Sequence, residues 1–161
     1  MSAVPQLVRV AADALVAKMV AGDYNPTPIL DLGALVANAD GVVDAEEIDT
    51  LRRILEPMLG AEVPAEVVRF LLDASVHVIQ AAGVDARARL VAEIMLDCDA
   101  CEEALSLALA VSFASKGYSA AERVVVEKLA AAMNVEPARL ARLVEAIDGS
   151  YRDVPPASAR A

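Results

Sequence analysis

Two stretches of this chain are apolar on almost every side. Residues 28–39 carry Ile29, Leu30, Leu32, Ala34, Leu35 and Val36, and residues 100–115 carry Leu105, Leu107, Leu109, Val111 and Phe113. A helix without a polar face must be enclosed. Both stretches fall short of the roughly 20 apolar residues that cross a bilayer, so protein has to do the enclosing. The other segments are therefore expected to wrap these two as amphipathic helices. Composition agrees. Aromatics make up 3% of the 161 residues, glycines number 7, and hydrophobic residues reach 57%. That mixture favours packed helices over a sandwich or barrel and is rich enough for a real core.

The chain then reads as seven or eight helices in one all-α domain. Residues 4–21 form the first, closed by Gly22. Thr27 is expected to cap the second, with Pro28 in its first turn. The third, about 45–58, has a single stripe of Ile48, Leu51, Ile54, Leu55 and Met58, and a solvated face of Asp49, Arg52 and Arg53. Pro64 opens the fourth and Gly83 ends it. The fifth covers 86–97, with Leu90, Val91, Ile94 and Met95 inward. The sixth is 100–115, the seventh 120–133, and Pro137 opens an eighth to about Ile147. Residues 1–147 thus make the domain, and 148–161, with Gly149, Pro155 and Pro156, read as a disordered tail.

The order repeats. A buried helix, a Gly turn, an amphipathic helix and a Pro-initiated helix occur twice. Gly41 matches Gly117, Asp44 matches Ser119 and Glu47 matches Glu122, with one residue fewer in the second turn. Two copies are too few for a solenoid; a single pseudo-twofold bundle of two helix–turn–helix repeats is expected.

The first turn, Asn38-Ala-Asp-Gly-Val-Val-Asp-Ala-Glu-Glu47, admits two readings. In the first, Asp44 with Glu47 is a capping box, as is Ser119 with Glu122, and Val43 with Ile48 is a hydrophobic staple. In the second, Asp40, Asp44 and Glu47, with Glu46 beside them, hold a hard divalent cation such as Ca²⁺, Mg²⁺ or Mn²⁺, which relieves their mutual repulsion. Part of an EF-hand register is present. Counting Val36 as loop position 1 puts Asp40, Gly41, Asp44 and Glu47 at positions 5, 6, 9 and 12. Val36 has no side-chain ligand, so affinity is expected at the weak end, roughly 10⁻⁴ to 10⁻³ M. Lys116 stands in the second turn where the first has Asp40, which removes an equivalent second site.

Elsewhere the chemistry is sparse. Cys98 and Cys101 form a lone CxxC, far in sequence from the single histidine, His77. Zinc needs about four ligands, and a redox motif needs a βαβ context. Asp99 with Glu102 has capping-box spacing and is expected to open the sixth helix. The net charge of −10 disfavours nucleic acid and suits a cation or a basic protein surface. No targeting or transmembrane segment is expected. Arg9, Asp13 and Lys18 interrupt the first apolar run, which also lacks the basic face of a membrane-surface helix.

Ala39-Asp-Gly-Val-Val-Asp-Ala-Glu-Glu47, the degenerate copy at 115–122 and Met133-Asn-Val-Glu-Pro-Ala-Arg-Leu140 resemble the tellurite-resistance TerB-like family, over about residues 28–147. The resemblance implies an all-helical, pseudo-symmetric bacterial domain. It further implies a role in tellurite and other chemical stress, metal binding, and work with protein partners, membrane-associated ones among them. Asp40, Asp44 and Glu47 match the family's turn. The implied location is cytoplasmic, extending to the inner membrane face. No Ser/His/Asp set and no phosphate loop is present, so an enzyme is the weakest class. A weak cation-binding module and an interaction scaffold whose acidic turn is only a helix cap are the two that remain.

Overall fold

A computed structural model describes residues 4–115 and 117–154, with Met58 described by its backbone alone. The described residues form eight helices and no strand. They are α1 (Gln6–Ala21), α2 (Thr27–Ala37), α3 (Ala45–Leu59), α4 (Ala65–Ala82), α5 (Val84–Asp97), α6 (Cys101–Phe113), α7 (Ala120–Ala132) and α8 (Pro137–Arg152). The two all-apolar stretches are the central helices. Every residue of α2 except Thr27 is buried, as is α6 from Ala104 through Ser112. They pack on each other; α4, α5 and α7 cover α2, while α1 and α8 cover α6.

Two contacts show how closely α2 is enclosed. Gly33 lies where Leu51 of α3 seats itself, and a Cβ on Gly33 would come within 2.5 Å of Leu51 Cδ2. Asp31, the one ionisable residue of α2, is buried and accepts from Arg87 of α5 at 2.6 Å. Removing Arg87 would strand the Asp31 carboxylate in the core. Outside, Asp49 joins Arg52 and Arg53 at 2.7 and 2.8 Å, as the solvated face of α3 suggested.

Four expectations change. Thr27 does not cap α2: its own N–H donates to Asn25 Oδ1 at 2.9 Å, so the loop residue supplies the acceptor. Asp99 does not cap α6. The N-cap is Ala100, with no side-chain bond, and Asp99 sits at φ 53. In that turn Lys18 donates to Asp99 O at 2.5 Å and to Glu103 at 2.6 Å, while Glu102 pairs with Arg139 at 2.6 Å. A tertiary ion pair has taken Glu102 away from the cap, and the left-handed backbone of Asp99 is not that of an N-cap. Leu90 is 42% exposed, because Ala88, Val91, Ala92 and Met95 form the inner face of α5. Finally, residues 148–152 are not tail. They continue α8, and Tyr151 donates to Ala110 O of α6 at 2.9 Å while its ring lies 6.4 Å from that of Phe113. The tail expected over 155–161 lies outside the described residues.

Candidate functional site

Each central helix runs straight into one of the two Gly turns. Gly41 and Gly117 both take left-handed backbone, φ 85 and φ 95, where a Cβ would be strained. The turns then enter α3 and α7 through complete capping boxes. Asp44 Oδ1 accepts from the N–H groups of Glu46 and Glu47 at 3.1 Å each, and the Asp44 N–H donates to Glu47 Oε2 at 2.8 Å. The Glu122 N–H donates to Ser119 Oγ at 3.2 Å, and the Ser119 N–H donates to Glu122 Oε2 at 2.7 Å. The staple residues Val43 and Ile48 pack against the core.

The turns also face one another. A cavity of ≈510 Å³ opens between them, lined by Asp40, Asp44 and Val42 from the first and by Ser115, Tyr118, Ser119 and Glu122 from the second. Asp40 Oδ1 accepts from the Val42 N–H at 3.0 Å, which braces the turn. Glu47 and Glu122 are each only 3% exposed. Burial pushes the Glu47 carboxyl up to about 8, against the Asp44 N–H bond, and the charges of Asp44, Glu122 and Asp40 add to the rise. None of these four carboxylates has an ion-pair partner among the described residues. At neutral pH Glu47 therefore holds a proton in place of a counter-ion.

Of the residues expected to bind metal, Asp40 and Asp44 reach the cavity, and Glu47 sits behind them in its capping box. No three His, Cys, Asp or Glu side chains among the described residues stand ready to hold an ion together. The EF-hand register does not survive, because α2 continues through Ala37 and Val36 is fully buried. The second turn was expected to have lost its site. Ser115, Ser119 and Glu122 of that turn line the same cavity as Asp40 and Asp44. The available signal was positional: both turns directly follow the two buried helices, which have to pack together. Lys116 lies outside the described residues. Away from this cavity, Cys98 and Cys101 are free thiols that burial pushes up. His77 is exposed, its Nδ1 2.7 Å from Asp73 O.

A family model described as "Tellurite resistance protein TerB" matches residues 27–145, from the first residue of α2 into α8. That span contains both turns and leaves α1 outside. No curated protein and no solved structure matches the chain.

Proposed function

The chain belongs to the tellurite-resistance TerB family, and from that premise we propose that it is a non-enzymatic stress-response module that takes up a divalent cation weakly between its two turns and acts with partner proteins. One observation carries the cation half. Glu47 is buried behind Asp40, Asp44 and Glu122, and its carboxyl is forced up to about 8 by burial and by those charges. A divalent cation removes that penalty by replacing the proton. The donors on offer are carboxylate and hydroxyl oxygens, which suit Ca²⁺, Mg²⁺ or Mn²⁺ rather than softer metals. Asp40 and Asp44 would hold the ion from the first turn and Glu122 from the second. Glu47 would supply compensating charge from behind. Carbonyl groups and water would have to complete such a shell, so affinity is expected in the range of about 10⁻⁴ to 10⁻³ M.

The competing reading is a scaffold whose turns are helix caps and nothing more. Its support is that both capping boxes are complete without any ligand. Melting in chelator and in millimolar Ca²⁺, Mg²⁺ or Mn²⁺ separates the two. Binding at 100 times Kd raises stability by about 2.7 kcal/mol. Asp40→Asn should abolish that response while changing stability little in chelator, because Asp40 is outside the capping box. A parent that does not respond, or an Asp40→Asn protein that responds like the parent, leaves the scaffold reading.

Among the described residues no single helix is long and apolar enough to cross a membrane; α4 and α5 together pass by length and composition but are bent by 115°. Within this proposal the protein works in the cytoplasm, up to the inner face of the membrane.

A further inference from the structure

Tyr118 also lines a second cavity, a groove of ≈590 Å³ between α7 and α8. Its floor is apolar, made by Ala130, Leu140 and Val144. Its rim carries Glu127 and Glu145, and neither has an ion-pair partner among the described residues. The one basic residue in its lining, Arg123, is already held with its guanidinium 5.5 Å above the Tyr118 ring. Along α7 the lining extends from Arg123 to Ala131; at 1.5 Å per residue this is about 12 Å, two turns of a docked helix.

We infer that this groove receives a short amphipathic helix from a partner protein. The partner's apolar side chains would lie between Ala130, Leu140 and Val144, and its Lys or Arg side chains would reach Glu127 and Glu145. Charge decides between occupants. The chain carries −10 at pH 7, so a second copy would bring like charge onto an acidic rim, whereas a basic helix meets opposite charge along both edges. An apolar floor with a charged border is also how a helix is held in a groove: side chains at i, i+3 or i+4 and i+7 anchor it, and the flanks set its partner choice.

The inference extends the partner half of the proposed function and does not need the cation. Because Tyr118 lines both the groove and the acidic cavity, the test is run in chelator. A labelled synthetic helix of about 14 residues, with Leu at one-turn spacing and Lys on both flanks, is titrated with the whole protein at low salt. Saturable binding is expected, and the same peptide with Glu in place of Lys should not bind. The double variant Glu127→Lys/Glu145→Lys should weaken binding about tenfold or more. Ala141→Gln, which adds bulk at an exposed groove position, should weaken it also. Asp40→Asn, in the acidic cavity, should leave it unchanged.

No saturation by about 1 mM peptide overturns the inference. So does binding that ignores both groove variants, or binding lost only in Asp40→Asn, which would make the acidic cavity the partner surface. A small apolar dye that fills the groove and is not displaced by the peptide would assign it to small molecules instead. If peptide binding holds while the cation titration fails, only the cation half of the proposed function falls.

Discussion

Glu47→Gln isolates the energetic consequence of the buried carboxyl. The substitution keeps an oxygen to accept from the Asp44 N–H, so the capping box survives. What disappears is the ionisation. In the parent, the folded-state value is raised from 4.5 to about 8. The stabilisation this represents is fully present below 4.5 and is lost as pH rises through 8. At about 1.4 kcal/mol per pH unit, the span corresponds to roughly 5 kcal/mol. That is a ceiling, since water entering the cavity and any bound cation reduce it. Urea unfolding from pH 5 upward in chelator should show the parent losing about 2–4 kcal/mol by pH 9, while Glu47→Gln loses far less and becomes the more stable protein above pH 8. The scan stops at pH 5 because other carboxylates act oppositely in acid, Asp85 with its bond from Lys128 among them. Against the pull of its burial, hydrogen bonds from Arg52 and Arg53 hold Asp49 below its ordinary value, and the bond from Arg139 does the same for Glu102. Adding Ca²⁺ at pH 8.5 should restore much of the parent's loss and leave Glu47→Gln nearly unchanged. Equal pH slopes in the two proteins would refute the reasoning at its base, because the penalty would then not reside in Glu47.

The remaining predictions concern the frame around the site. Asp44→Ala and Ser119→Ala should each cost about 1 kcal/mol in chelator, read from urea midpoints; no loss in either would mean that the caps do not hold the turns. Gly33→Ala should destabilise by about 1–3 kcal/mol through overpacking against Leu51, and a double-mutant cycle with Leu51→Ala should show strong coupling; additive effects would disprove the close contact. Tyr151→Phe should cost about 1 kcal/mol for the hydrogen bond to Ala110, and ending the chain at Ile147 should cost more, measured by thermal melting. A truncated protein as stable as the parent would return residues 148–152 to the tail.

What the sequence disclosed, and what it concealed, divides by range. Periodicity and local capping chemistry are written in neighbouring residues, so the enclosure of 28–39 and 100–115, both capping boxes and the left-handed glycines could all be read directly. Asp99-x-x-Glu102 has the same spacing as Asp44-x-x-Glu47, yet only the second became a cap. Part of the difference lies in a residue distant in sequence: Arg139 takes Glu102 in a charge-assisted bond that outweighs a local one, while Asp99 itself sits in left-handed backbone at φ 53, which is not that of an N-cap. Tyr151 escaped notice for the same reason, since Gly149 and the prolines after it mark a helix end locally while the contact that extends α8 comes from α6. The composite cavity is the extreme case. Neither turn alone places a carboxylate where it must be buried beside others. Packing α2 on α6 brings Glu122 beside the first turn, where its charge adds to those of Asp44 and Asp40 in raising a Glu47 carboxyl that burial already pushes up. A site of this kind can be lost without altering any carboxylate. On the proposed cation reading, a change that separates the two turns would return Glu47 toward water, lower its carboxyl toward 4.5, and weaken ion binding while every cap remained intact.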